Sequence, residues 1–212
     1  MSPTALFTVM ISGLLAIAAW SRLSEAYRVS ALARAASALG MRFESRAGRF
    51  ITNGPGALSL FRVGGGLGRN LVTDGRLTLF EYLSRATADG RQPVEAQVVV
   101  AVTEARGVPP FRLEFKRPGA FGLTSGVYAA SDEITFEGHH GFAESYRLFG
   151  EDHAAVAALF DASALAFFAA NPGWSVETNG AWLAVWEGAG HLDPSSLAAQ
   201  VERHRAVASR FV

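Results

Sequence analysis

Asn70-Leu71-Val72-Thr73-Asp74-Gly75-Arg76-Leu77-Thr78-Leu79-Phe80-Glu81-Tyr82-Leu83 is the stretch on which the fold turns. Two β-prone runs flank Asp74-Gly75, a pair that favours the tight turn of a hairpin. A second turn signal, Asp89-Gly90, precedes Val94 to Val102, whose Gln97-Val98-Val99-Val100-Ala101-Val102 is apolar on both faces. A strand covered on both sides has that composition. Residues 71–104 therefore read as an antiparallel meander. No crossover long enough for a parallel unit intervenes, which makes the chain α+β rather than α/β.

Outward toward the N-terminus, Met41-Arg42-Phe43-Glu44 alternates as a strand and Leu58 to Val63 is a second apolar run, read as another. Before them lies a segment without a charged side chain, Ser2 to Ser21. Its apolar residues include Leu6, Phe7, Val9, Ile11, Leu14, Leu15, Ile17 and Trp20. About 20 helical residues reach roughly 30 Å, the hydrocarbon thickness of a bilayer. The Leu, Ile, Val and Phe side chains favour insertion by roughly 3 kcal/mol, less the cost of Thr8, Ser12 and Gly13. A cleaved signal peptide is the alternative, since Ala16-Ile17-Ala18 resembles a cleavage site, but no basic residue precedes the apolar run. Arg22, Arg28 and Arg34 follow it, so the positive-inside bias puts the N-terminus outside and the domain in the cytoplasm. Val29, Leu32, Ala36 and Leu39 continue the helical spacing up to Gly40, a left-handed stop. The expected division is a transmembrane anchor at 1–22, an amphipathic juxtamembrane helix at 23–40, and a soluble α+β domain at 41–212.

Toward the C-terminus, Pro109-Pro110-Phe111 forces an extended connection into the alternation Arg112-Leu113-Glu114-Phe115. Residues 117–132 are rich in Gly, Ala and Ser and read as a loop. Ile134-Thr135-Phe136 and 145–149 read as strands. Glu151-Asp152 opens one long helix with Val156, Leu159, Phe160, Ala164 and Phe167 along a face, ended by Pro172-Gly173. Asn179-Gly180 then joins Trp174–Thr178 to Ala181–Trp186, and Asp193-Pro194 starts a final helix to about Arg210. The expected architecture is an N-terminal helix, a mainly antiparallel sheet, and two further helices packed on it.

Composition narrows function. Of 212 residues 50% are hydrophobic, so the chain can bury a sizeable core. Formal charge is zero, which gives no field toward nucleic acid. Lys116 is the sole lysine, and the arginines form no run. Cysteine is absent, which excludes thiolate catalysis, disulfides and Cys-bound metal.

The motifs that could carry chemistry each have a plainer reading. Gly64-Gly65-Gly66-Leu67-Gly68 lacks the helix or Walker Lys that a phosphate cradle needs, so it reads as an inter-strand loop. Gly122-Leu123-Thr124-Ser125-Gly126 has Thr124 where a nucleophile elbow has Ser. His139-His140 on a strand would point to opposite faces and not share one ion, so with Glu144, Glu151, Asp152 and His153 they read as solvated loop residues rather than a metal site. Glu81 reads as half of a rim ion pair. Trp174, Trp182 and Trp186 read as core, and as the best partner surface if their hairpin were uncovered. No catalytic residue, cofactor or metal is expected.

Ala31-Leu32-Ala33 through Leu39-Gly40-Met41-Arg42-Phe43, Arg69-Asn70-Leu71, Leu79-Phe80-Glu81-Tyr82, Val98-Val99-Val100, Pro109-Pro110-Phe111 and 142–150 together give the chain a likeness. It resembles a family of uncharacterised bacterial membrane-anchored proteins with an N-terminal hydrophobic helix and a cytoplasmic α+β domain. The resemblance implies no activity. The expected role is a non-enzymatic, membrane-tethered interaction or accessory domain of a bacterial inner-membrane assembly, with a protein partner or a second copy. The alternative is a membrane-proximal module binding a lipid or other apolar small molecule.

Overall fold

A computed structural model describes residues 3–64, 66–86, 94–116 and 129–212. One continuous helix, α1 (Pro3–Ala38), runs through both the charge-free segment and the amphipathic stretch after it. Gly40, at φ +69°, ends it, and the Met41 amide bonds back to the Ala36 carbonyl. Leu32 and Ala36 are fully buried, so the C-terminal part of α1 is welded to the domain.

Nine strands form one antiparallel sheet among the described residues: β1 (Arg42–Arg46), β2 (Leu67–Thr73), β3 (Thr78–Ala86), β4 (Val94–Glu104), β5 (Phe111–Phe115), β6 (Glu133–Ile134), β7 (Tyr146–Phe149), β8 (Ser175–Thr178) and β9 (Trp182–Ala189). Their order is β1-β2-β3-β4-β9-β8-β5-β7-β6. The meander and the Asn179-Gly180 hairpin are sequential neighbours, as their turn residues require. Gly75 and Gly180 sit at φ +90° and +85°, where a Cβ would strain the turn. Asp89-Gly90 lies outside the described residues, as does most of the 117–132 loop. β5 inserts between β8 and β7, its neighbours being far away in sequence.

Two register shifts reshape this sheet. Arg69 opposes Glu81 while Val72 opposes Leu79, so β2 carries one extra residue there. Asn70 accommodates it at φ 53°, the left-handed region that Asn tolerates. Val98 opposes Ala189 while Val100 opposes Trp186, so β9 carries an extra residue at Glu187-Gly188.

Each face buries its own core. On one, Val72, Leu79, Val99, Ala101, Phe111, Leu113, Val176, Leu183 and Val185 pack under α1 and four more helices: α4 (His140–Ser145), α5 (His153–Leu159), α6 (Ala162–Ala170) and α7 (Leu197–Ala208). On the other, Phe80, Tyr82, Val98, Val100, Val102, Ala184 and Trp186 pack under α2 (Gly48–Asn53), a 3-10 turn, and α3 (Ser59–Gly64).

Several expectations are corrected. Leu58–Val63 is not a strand: it leads into α3, because the Glu177 carboxylate accepts the Ser59 and Leu60 amides at its start. His140–Ser145 is a short helix where a loop is expected, and the strand after it begins at Tyr146 rather than Ser145. The long helix from residue 151 is two, bent by 67° at Phe160-Asp161. Asp152 caps the first by accepting from the Ala155 amide at 3.0 Å, and Asp161 the second by accepting from the Ala164 amide at 2.8 Å. β6 stops at Ile134, and α7 begins at Leu197, after a turn in which Asp193 accepts from Ser195 and Ser196.

Among the described residues no single helix is long and apolar enough to cross a membrane. The bent pair α5–α6 passes by length and composition, but it buries Val156, Phe160, Ala164, Leu165 and Phe168 in the core.

Candidate functional site

Three polar clusters lie inside this framework. The first centres on Glu81, which strand alternation turns toward the α1 face and which is fully buried. It is no rim pair. Its carboxylate accepts from Arg28 Nη1 at 2.7 Å, Arg69 Nε at 3.0 Å, Asn70 Nδ2 at 2.9 Å and the Leu192 amide at 3.0 Å. The extra residue in β2 is what lets Arg69 and Asn70 both reach it. Arg28 also donates to the Leu192 carbonyl at 2.9 Å and to Glu25 at 2.8 and 2.9 Å. Its hydrogen bond to Glu25, then that to Glu81, raises the Arg28 pKa, and the same bond to Arg28 lowers that of Glu25. Four separate donors saturate the Glu81 carboxylate, leaving it neither a base nor a free ligand. It is a junction that ties α1, β2, β3 and the segment after β9 together.

The second cluster is on the opposite face. Arg112, 2% exposed, donates to Ser59 Oγ at 2.8 Å, Glu177 Oε2 at 3.1 Å and Glu114 Oε1 at 2.6 Å. Its guanidinium lies 5.5 Å from the Trp186 ring centroid. Glu177 spends its remaining capacity on α3. This too is a closed network, and its work is to pin α3 to the sheet.

The third is open. A pocket of about 500 Å³ lies where α7 crosses the bulged end of β9, lined by Val99, Gly173, Glu187, Gly188, Arg203 and His204 among others. His204 is 1% exposed, and burial pushes its pKa down to about 4, so the ring is neutral. Nδ1 meets the Gln200 carbonyl at 2.7 Å and is therefore the protonated nitrogen. The Val99 backbone beside the ring opposes part of that lowering, and among the described residues Nε2 has no partner within hydrogen-bond distance. The Trp174 ring meets the imidazole edge-on at 5.0 Å.

The sequence candidates fall elsewhere. Trp174 and Trp186 are buried on opposite faces of the sheet, and Trp182 packs edge-on against Phe50 at 6.1 Å. The three form no stripe. His140, Glu144, Glu151, Asp152 and His153 are exposed, and among the described residues no three His, Asp or Glu are placed to hold a metal ion. A Cβ on Gly66 would meet the Leu83 carbonyl oxygen at 2.3 Å, so close backbone packing accounts for that glycine. Residues 122–126 lie outside the described set. Of the expected anchor residues, Phe7, Ile17 and Trp20 are 66%, 67% and 75% exposed; Leu6, Val9, Ile11, Leu14 and Leu15 lie outside the described side chains.

Neither Arg112 nor His204 was singled out by motif. A lone polar residue inside an apolar alternation, as at Arg112 between Phe111 and Leu113, was the available signal. Comparison with protein-family models, with curated proteins and with solved structures found no match.

Proposed function

We propose that the chain is a non-enzymatic, membrane-tethered interaction domain, an accessory subunit of a bacterial inner-membrane assembly. The observation that carries this is the division of labour along α1. Glu25, Arg28, Leu32 and Ala36 are engaged with the domain, whereas Phe7, Met10, Ile17, Trp20, Leu23 and Tyr27 are each more than half exposed. An exposed apolar surface of that extent calls for a covering. The charge-free run before Arg22 suits the interior of a bilayer, and Trp20 and Tyr27 suit its interface. The buried carboxylates support a non-enzymatic role, since both are spent on holding elements together. No observation among the described residues favours the lipid-binding alternative.

The absence of cysteine makes topology directly testable. Full-length protein is expected to stay with membranes washed in alkaline carbonate. A membrane-impermeant maleimide on intact cells is expected to label the S2C chain and not the S209C chain. Release by carbonate would remove the anchor, and the reverse labelling would invert the orientation. Purification in mild detergent that repeatedly yields only the monomer would remove the interaction role.

A further inference from the structure

Among the described residues the sheet strongly exposes one large apolar side chain, Leu67 at the start of β2, which is 67% exposed. Its height relative to α1 follows from the connections. α1 reverses through Gly40 into β1, and β1 is antiparallel to β2, so β2 runs in the direction of α1. Arg69 lies 3.9 Å from Glu25. Two strand residues rise about 6.6 Å and one helical residue about 1.5 Å, which puts Leu67 level with Ser21 and Trp20. That is where the charge-free part of α1 ends.

Arginines gather at the same end of the sheet. Arg46 of β1 is paired with Arg69. The next residue, Ala47, donates its amide to the Gly68 carbonyl, and α2 starts there with Arg49 in its first turn. Arg62 lies in the last turn of α3, just before Gly66, whose amide donates to the hydroxyl of Tyr82 opposite Gly68. Arg22 adds a charge from α1. Arg28 and Arg69 spend theirs on Glu25 and Glu81, whereas Arg22, Arg46, Arg49 and Arg62 are exposed and form no ion pair among the described residues. The exposed Glu44 lies farther from the tether, opposite Leu71. Of these arginines, Arg22 alone is close to the charge-free run in the chain; the fold brings the others to its level.

A cationic rim around one apolar side chain, at the height of an interfacial Trp, matches one surface. Anionic headgroups attract arginine within a Debye length, and guanidinium pairs with phosphate in a fork. A second copy of the chain would present the same positive charge and be repelled. We propose that the tether-side end of the sheet rests on the bilayer, with Leu67 in the interface and Arg22, Arg46, Arg49 and Arg62 on anionic lipid headgroups. This rests on the tether reading and is a contact with the bilayer surface, not a pocket for one lipid.

The test uses the full-length chain, whose lack of cysteine allows a single environment-sensitive fluorophore at L67C, at A19C in the tether, or at R76C in the β2–β3 turn at the other end of the sheet. Each is reconstituted in vesicles of phosphatidylcholine alone or of equimolar phosphatidylcholine and phosphatidylserine, with a nitroxide on the upper acyl chain as quencher. A19C is expected to be quenched in both, R76C in neither, and L67C in the anionic vesicles. The added substitutions R46E, R49E and R62E, all at exposed positions, should return L67C to its neutral-vesicle value, because each arginine near such a surface is worth roughly fivefold in the docked-to-free ratio. If A19C is not quenched, the tether reading fails and takes this one with it. If A19C is quenched but L67C is not, the tether stands and the headgroup contact is wrong. Quenching of L67C that is equal in both vesicles, or unchanged by the three charge reversals, would overturn it as well.

Discussion

A histidine held neutral inside the fold leaves a signature in the pH dependence of stability. In the unfolded chain His204 has a pKa near 6.5, and in the folded chain about 4. Between those values the unfolded state carries a proton that the native state does not. Stability from this residue is therefore complete above pH 6.5 and declines as pH falls toward 4. The loss between pH 7 and pH 5 should be about 2 kcal/mol. Urea titrations at the two pH values should show that loss in the parent chain and a much smaller one in H204L; equal losses would mean that the ring is protonated in place. Neither this residue nor Glu81 could be recognised by inspection of the sequence. Alternation correctly puts Glu81 opposite Phe80 and Tyr82. Its burial, however, depends on Arg28 and Leu192, 53 and 111 residues away. A rim pair and a buried junction have the same local sequence.

At the scale of elements, what was legible followed turn and cap chemistry. Asp74-Gly75, Asn179-Gly180 and Gly40 each mark a boundary that the backbone needs, and the strands beside them are where the alternation puts them. The misreadings were short apolar runs. Leu58–Val63 is as apolar as a buried strand, and only the distant Glu177 carboxylate, accepting two amides, selects the helix. Residues 151–170 keep a helical period across a break that Asp161 alone announces, because an aspartate there competes for the backbone amides. That cap yields a direct expectation. Asp161→Ala should cost about 1 kcal/mol, by loss of the bond to the Ala164 amide. Glu151→Ala, an exposed site before the first cap, should stay within roughly 0.5 kcal/mol of the parent. Urea midpoints for the two variants decide it, and a cost for Asp161→Ala no greater than for the control would mean that packing of Leu165 and Phe168 alone sets the bend.

Across the whole molecule, the sequence discloses class better than topology. An antiparallel α+β domain follows from the meander, but the insertion of β5 between β8 and β7 closes contacts over some 65 residues and has no local marker. The junction that matters most for the proposed tether is of the same non-local kind. Arg28 is the last group of α1 before the exposed apolar residues begin, apart from its partner Glu25, and it reaches Glu81, the Leu192 carbonyl and Glu25 together. Whatever α1 is embedded in, its angle to the sheet is set there and by Leu32 and Ala36. Glu81→Gln keeps the shape but removes the buried charge that two arginines share, so Arg28 keeps only the partly exposed Glu25 as an anionic partner. Removing the buried charge costs stability, by less than the roughly 3 kcal/mol of a fully buried pair, because both arginines are partly exposed. In full-length protein, trypsin should then cut at Arg28 and Arg34 well before it cuts at the buried Arg112, and earlier than in the parent chain. The double variant Arg28→Met with Glu81→Met, which removes both charges, should recover part of the lost stability while α1 stays protected by Leu32 and Ala36. If Glu81→Gln is digested no faster than the parent, apolar packing alone fixes the helix and the polar junction does not set the angle of the tether.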